Sequence, residues 1–319
     1  MPTKSKPATK LAVAPSATAL KELLQSGAHF GHKTSRWHPK MAPFIHSARG
    51  GVHIIDLIQT EQRLLAAEKF VENITSQGKT VLFVATKRQA KAVVEKAAQD
   101  AHMPYVTYRW LGGMLTNWQT ISARLRYLKK LEAGKEDGSW DKLTKKERLL
   151  LDTKIIKLSK VFDGVRELQE VPQALFIVDV PREEIAIKEA LHLKIPVIGM
   201  LDTNANPADI TYPIPANDDA VKAIELVAGR IAQAAIKGRM AYDAKTVDAD
   251  TAEVAEADKP AKAEVATDKP AKAVASAAKA PVASAKPAAV VTEAKAATVA
   301  EKPVAEAKAE AEAEAKPKS

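Results

Sequence analysis

Three continuous apolar runs constrain this chain more than any other feature: Thr80-Val-Leu-Phe-Val-Ala85, Ala174-Leu-Phe-Ile-Val-Asp179 and Pro196-Val-Ile-Gly-Met-Leu201. Each has strand length, and strands apolar on both faces suit a parallel sheet covered by helices on each side. A helical pattern follows each run: Lys87 to Ala101, Arg182 to Leu191 and, after a proline-rich loop, Asp218 to Lys237. That alternation predicts an open α/β sheet. Its ligand surface is expected beyond the carboxyl ends of the strands, around Thr86 to Arg88, Asp179 to Arg182 and Asp202 to Asn206. Upstream, Ala19 to Gln25 reads as a short helix stopped by Gly27, and Thr60 to Ser76 as a longer one capped by Thr60 and ended near Gly78.

Between Asn117 and Gln169 the alternation breaks. Trp118, Ile121, Leu125 and Leu128 recur at spacings of three and four, as do Leu151, Ile155, Leu158, Phe162 and Val165, with a turn at Gly134-Lys-Glu-Asp-Gly138 between them. The spacing predicts an antiparallel helical hairpin, a small coiled-coil insertion. Its outer faces carry many cations, among them Arg124, Arg126, Lys129, Lys130, Lys142, Lys145 and Lys146. Singly they keep a protruding hairpin soluble; together they make a basic prong.

Charge is uneven. Residues 246 to 319 contain no aromatic, Leu, Ile or Gly, so they cannot bury enough apolar surface to offset their ordering entropy and are expected to be disordered. They hold 11 Lys against 13 Asp plus Glu, and the remaining 37 basic and 26 acidic residues give residues 1–245 a net charge of +11. The whole chain has a formal charge of +9 and no cysteine, which excludes disulfide scaffolds, thiol nucleophiles and cysteine metal sites. No apolar run approaches the roughly 18 to 20 residues of a transmembrane helix. The weakly apolar Leu11 to Leu20, broken by Pro15, Ser16 and Thr18, reads as part of a flexible arm rather than a secretory signal. Organisation follows: an arm over 1–17, an α/β domain over 18–113 and 171–240, the hairpin over 114–170 and a tail over 241–319.

One segment departs furthest from neutrality. Leu23 through Ile55 contains no Asp or Glu, yet carries Lys33, Arg36, Lys40, Arg49, Trp37 and five of the chain's seven histidines. Its glycines and prolines mark much of it as loop. A stretch with only positive charge and aromatics suits a polyanion, because Lys and Arg neutralise phosphates while Trp, His and Arg planes stack on unpaired bases. Lys87-Arg88 and Tyr108-Arg109-Trp110 form a second such patch. Trp37 and Trp110 are either core anchors or stacking platforms, and large aromatics are mostly the former.

Catalytic patterns fail their own requirements. Neither G-x-G-x-x-G nor G-x-x-x-x-G-K-[ST] occurs, and there is no G-x-S-x-G elbow. His29 and His32, three apart, and the strand-end acids Asp179 and Asp202 leave one metal possibility, a structural divalent ion near His32 and Asp202. Two histidines packed at the core edge explain the same pattern.

Gly27-Ala-His-Phe-Gly-His-Lys33, Trp37-His-Pro-Lys-Met41, Val52-His-Ile-Ile-Asp-Leu57, Ala85-Thr-Lys-Arg88, Arg109-Trp-Leu-Gly-Gly-Met-Leu-Thr-Asn117, Ile185-Ala-Ile-Lys-Glu-Ala190, Asp202-Thr-Asn204 and Asn217-Asp-Asp-Ala220 occur in this order. This set resembles the bacterial small-subunit ribosomal protein S-two family from about Thr18 to Met240. The resemblance implies a three-layer, doubly wound, mainly parallel α/β domain with a coiled-coil insertion, without enzymatic activity, in the cytoplasmic ribosome. It also implies a place between head and body of the small subunit, with 16S rRNA, neighbouring ribosomal proteins and the large mRNA-capturing ribosomal protein as partners. No membrane and no homo-oligomer are expected, nor any cofactor beyond the metal possibility. Matching positions give Lys33, Arg36, Trp37, Lys40, Arg49, Lys87, Arg88, Arg109 and Lys129 as RNA-facing. Where the family commonly has Arg-Asn-Gly, this chain has Arg49-Gly50-Gly51, which keeps the turn. Where the family often carries acids after the Asp-Thr-Asn motif, Ala205-Asn206-Pro207-Ala208 has none.

Overall fold

The computed structural model describes residues 16–257. The arm over 1–17 lies outside them except for its last two residues, as does the tail beyond 257. Three strands, β1 (Phe30–Lys33), β2 (Ile45–Arg49) and β3 (Val52–Ile55), form a small antiparallel sheet ordered β1-β3-β2. Five more, β4 (Val81–Val84), β5 (Tyr105–Val106), β6 (Ala174–Val178), β7 (Val197–Leu201) and β8 (Tyr212–Pro215), form an all-parallel sheet ordered β5-β4-β6-β7-β8. The three apolar runs supply its centre. The sequence reading missed its two edges, a two-residue strand and one with Pro213 and Pro215, because a strand that short or that rich in proline gives no periodic signal.

Successive side chains of a strand point to opposite faces, so each central run feeds two cores. Val81, Phe83, Ala174, Phe176, Val178, Ile198 and Met200 pack on one face with α1 (Ala17–Gln25), α2 (Leu57–Thr75), α3 (Arg88–Asp100) and α7 (Val221–Ala257). Leu82, Val84, Leu175, Ile177, Val197 and Leu201 pack on the other with α4 (Trp118–Glu136), α6 (Glu184–His192) and Phe162 of α5 (Lys145–Phe162). The result is three layers, doubly wound. Order reverses between β4 and β6, and crevices for ligands form beyond the strand ends at such a switch point.

Several boundaries move for identifiable reasons. Asp56, not Thr60, caps α2: its carboxylate accepts from Ile58 N–H at 3.0 Å, while the buried Thr60 hydroxyl donates to the Pro215 carbonyl at 2.5 Å. Gly134 lies inside α4 rather than in a turn, and a Cβ there would sit 3.0 Å from Trp140 Nε1. The chain turns instead at Gly138, with φ 68°, before a 3-10 turn over Ser139–Lys142. The two insertion helices meet through buried Ile121, Leu125 and Leu128, the Ile155 and Leu158 side chains and a Lys135–Asp152 ion pair of 2.8 Å. Helix α7 continues to Ala257, past the expected tail boundary at 241, because no Gly or Pro follows Gly238 until Pro260.

The small sheet corrects the expectation of a loop over much of the acid-free segment. Gly50 and Gly51, with φ of 58° and 74°, make the two-residue turn between β2 and β3 that a right-twisted hairpin requires. Its position is fixed from outside. Thr203, just beyond β7, accepts from His32 N–H through its hydroxyl at 2.9 Å and from His38 N–H through its carbonyl at 2.8 Å. Gly31 permits that approach, since a Cβ there would lie 2.6 Å from Thr203 Cγ2. Buried Met41 and Phe44, in a 3-10 turn over Pro39–Phe44, hold the other end.

Candidate nucleic-acid interface

Eight of the nine residues expected to face RNA are exposed. Lys33 ends β1, Arg36, Trp37 and Lys40 lie on the turn after it, and Arg49 ends β2 beside Gly50. Arg88 opens α3, Arg109 lies on the loop after β5, and Lys129 is on α4. Among the described residues no ion pair involves the cations of this set other than Lys87. Trp37 is 41 % exposed and tilts against the His53 ring, with centroids 5.3 Å apart. It is a surface aromatic, whereas Trp110, 6 % exposed, is a core anchor.

Lys87 is the exception, and the structure removes it from the exposed set. Its ammonium lies 2.6 Å from Asp218 Oδ1, 2.7 Å from Asp219 Oδ1 and 3.6 Å from Asp179 Oδ2. Burial alone would lower its pKa, but the hydrogen bonds to Asp218 and Asp219 and the nearby carboxylate charges raise it above the ordinary lysine value. A buried ammonium held by three acids is committed to them and is not offered to a phosphate. The adjacent Arg88 faces outward because the first turn of α3 rotates it away from this cluster.

The same strand ends gather His32, whose Nδ1 lies 2.8 Å from Asp202 Oδ2. That hydrogen bond raises the His32 pKa against the opposing effect of burial. Burial and then the neighbouring Asp202 charge push Asp218 up to about 7, despite its contact with Lys87. Asp179 occupies left-handed backbone space at φ 69°, uncommon outside glycine, and its carbonyl accepts from Arg182 N–H at 3.1 Å. Thus His32 and Asp202 meet, joined by Asp218 and Asp219, whereas Asp179 reaches the group only through the Lys87 ammonium. His29 stays apart, its ring 4.0 Å from that of Phe30 and its Nδ1 buried without a hydrogen-bond partner.

Sequence reasoning missed the group that shapes the second basic patch. Glu189, on α6, accepts from Trp110 Nε1 at 3.1 Å and Gly113 N–H at 2.8 Å through one oxygen. Through the other it accepts from Leu115 N–H at 3.0 Å and from Thr116 N–H and hydroxyl, both at 3.2 Å. The Arg109-to-Asn117 block is therefore a loop wrapped around one carboxylate. Burial would raise the Glu189 pKa, but these donors hold it below the ordinary glutamate value. Beside it, a cavity of about 500 Å³ is lined by Thr86, Tyr108, Arg109, Trp110, Arg182, Glu183 and Ile185. The Thr86 hydroxyl bonds Glu183 and receives Arg182 Nε–H at 2.9 Å, so Arg182, placed by the sequence reading on the strand-end surface but not among the nine RNA-facing residues, adds a cation here. A helix pattern alone shows neither acid's partners, which lie more than 70 positions away.

What the arrangement offers is an exposed, cationic surface with Trp37 and Tyr108 as exposed aromatics, and no nucleophile–base pair among its residues. The family model described as ribosomal protein S2 matches residues 23–238. The chain belongs to that family. A small ribosomal subunit protein uS2 from Dictyoglomus turgidum is 50% identical over 220 residues, covering 69% of this chain and 89% of that one. Proteins of the same name from Oenococcus oeni and Chloroflexus aurantiacus are 47% and 48% identical over 228 and 225 residues. These matches cover 72% and 70% of this chain and 88% and 94% of theirs. Members of the ribosomal protein S2 family are structural, non-enzymatic parts of the small ribosomal subunit, so this chain serves translation in the cytoplasmic ribosome, among ribosomal RNA and other ribosomal proteins. No described helix is long and apolar enough to cross a membrane.

Proposed function

We propose that this chain binds 16S rRNA between the head and body of the subunit through Lys33 and Arg49 on the three-stranded sheet and Arg36, Trp37 and Lys40 on the turn between β1 and β2. Arg88 and Arg109 at the strand ends and Lys129 on α4 extend the contact. The observation that carries this is the acid-free surface of residues 23–55, whose cations are exposed and unpaired on a sheet pinned in place by Thr203. Phosphate contacts from a preformed surface position a protein on folded RNA, and shape rather than base sequence then selects the site. The insertion, as a coiled-coil prong, and the face around it would support docking of neighbouring proteins, including the large mRNA-capturing one.

Binding of 16S rRNA measured across a salt series tests this. The double variant Arg36→Glu/Lys40→Glu is expected to weaken affinity about 10- to 100-fold and to flatten the salt dependence, because each lost phosphate contact removes counterion release. Unchanged affinity and slope would overturn the assignment. Reversing Lys142, Lys145 and Lys146 separates the prong: loss of RNA affinity makes it an RNA contact, while unchanged RNA affinity with loss of a protein neighbour from the subunit makes it a docking arm.

A further inference from the structure

The cavity beside the Glu189 loop lies where the sheet topology favours a ligand. Thr86 lies just beyond β4, and Arg182 and Glu183 lie between β6 and α6, so the cavity opens at the carboxyl ends of the two strands between which the order reverses. The loop after β5 supplies Tyr108 and Arg109, and the first turn of α6 supplies Ile185. Its volume of about 500 Å³ falls within the roughly 300–1,000 Å³ of small-ligand pockets. Volume alone names no ligand, but the side chains around it do.

Glu183, 2 % exposed, accepts from Thr86 N–H at 3.2 Å and from the Thr86 hydroxyl. With its proton committed to that carboxylate, the hydroxyl oxygen accepts from Arg182 Nε–H at 2.9 Å. A buried acid therefore orients a hydroxyl, and the hydroxyl orients an exposed guanidinium. The one acid lining the cavity is spent on positioning a cation. Among the described residues no hydrogen bond or ion pair takes the Nη1 and Nη2 groups of Arg182, and the exposed Arg109 has neither. A guanidinium held at one nitrogen with its outer edge free is shaped for two parallel hydrogen bonds to a phosphate.

The same cavity has an apolar part. Tyr108 and Ile185 are 54 % and 58 % exposed, large side chains left in water beside two cations. Lys91 Nζ lies 5.4 Å from the Tyr108 ring centroid, and that cation–π contact helps to hold the ring. Oriented guanidinium groups next to an exposed aromatic suit a ligand that is anionic at one end and flat at the other. Unpaired nucleotides are held in this way, with an aromatic ring on the base and cations on the phosphate. An inorganic anion would leave Tyr108 and Ile185 unused.

We propose that this cavity receives one unstacked nucleotide of the ribosomal RNA, its phosphate on Arg182 and Arg109 and its base on Tyr108 and Ile185. Such a pocket depends on the RNA-binding reading above and adds to it a point where a single nucleotide leaves its stack, beyond contacts to phosphates alone. Tyr108, Arg182 and Ile185 stand outside the nine residues expected to face RNA. A free mononucleotide carries the same chemistry, and the two sources are separable.

Binding of full-length variants to 16S rRNA across a salt series tests the pocket. Tyr108→Ala is expected to weaken affinity about fivefold or more with an unchanged salt slope, because stacking releases no counterions, while Tyr108→Phe binds as wild type. Arg182→Ala is expected to lose about tenfold and to lower the slope by about one. Arg182→Lys, which keeps the charge but not the fork, restores the slope without the full affinity. Far-UV spectra and Tm are expected to match wild type throughout, since Tyr108 and Arg182 are exposed. Ultraviolet crosslinking of wild-type assembled subunits, read by peptide mass spectrometry, gives an arm that needs no variant: a nucleotide is expected on Tyr108. Tyr108→Ala and Arg182→Ala binding as tightly as wild type, while Arg36→Glu/Lys40→Glu binds more weakly, overturns the pocket alone. All three binding as wild type overturns the RNA reading with it. Adenosine 5′-monophosphate supplies the other source: calorimetric binding to the free chain that is lost in Tyr108→Ala, with no nucleotide on Tyr108 in subunits, overturns the RNA assignment and makes this a free-nucleotide site.

Discussion

In β4, β6 and β7 of the five-stranded sheet every residue is buried, whereas among the strand residues of the three-stranded sheet Ile55 alone is. The first sheet gains its order from apolar area removed from water on two faces, about 1.5–3 kcal/mol for each large side chain. The second has little such area and gains order from hydrogen bonds of its backbone N–H groups to a neighbour already fixed, chiefly the hydroxyl and carbonyl of Thr203. Its side chains are therefore free to point cations and Trp37 at a partner. A chain can place charge densely on a sheet when the rigidity of that sheet is supplied from beneath.

The difference can be broken from the buried side first. Phe176 packs edge-on to Phe83, centroids 5.3 Å apart, at the centre of one core. Phe176→Ala is expected to cost about 3–5 kcal/mol in urea unfolding, with RNA binding lost alongside the fold. Gly31→Val attacks the junction instead: with Thr203 Cγ2 only 2.6 Å from the new Cβ, it is expected to cost about 1–3 kcal/mol. It should weaken 16S rRNA binding while near-native helix content persists in circular dichroism. Equal losses from both sheets would contradict their different origins of order.

Glu189 sharpens the comparison through pH. Its folded pKa is depressed, so its stabilisation is present above the unfolded value of about 4.3 and is lost as pH falls through the lower folded value. Glu189→Gln, which turns an amide donor towards N–H donors, is expected to cost about 1–3 kcal/mol at neutral pH. It should also flatten the acid limb of the urea midpoint between pH ~5 and ~3. An acid limb as steep as wild type would remove the carboxylate from the account of the Arg109 loop. The smallest effect on stability belongs to Trp37→Ala, within about 0.5 kcal/mol, against a fall in RNA affinity of about fivefold or more.

The buried sheet was legible because continuous apolar runs and 3.6-residue periodicity are written locally, in Val81–Val84 or in Ile121, Leu125 and Leu128. The hairpin turn at Gly50-Gly51 was legible too, but the strands it joins were not, since their half-wet residues show no alternation. The positive surface could be read from the absence of acids. What could not be read was compensation at a distance: Lys87 and Asp218 are 131 positions apart, and only folding shows that Lys87 belongs to the carboxylates while Arg88 belongs to the surface. The loop around Glu189 is the same case, a recurrent sequence block whose physical reason lies on another helix.

Chemical acetylation followed by peptide mass spectrometry, on free protein and on assembled small subunits, tests the central claim most directly. Lys33 and Lys40 are expected to react in the free chain and to be protected in the subunit, while Lys87 is slow in both because its ammonium is already held by acids. Lys33 and Lys40 reacting equally in both states would contradict the account, whatever the family to which the chain belongs.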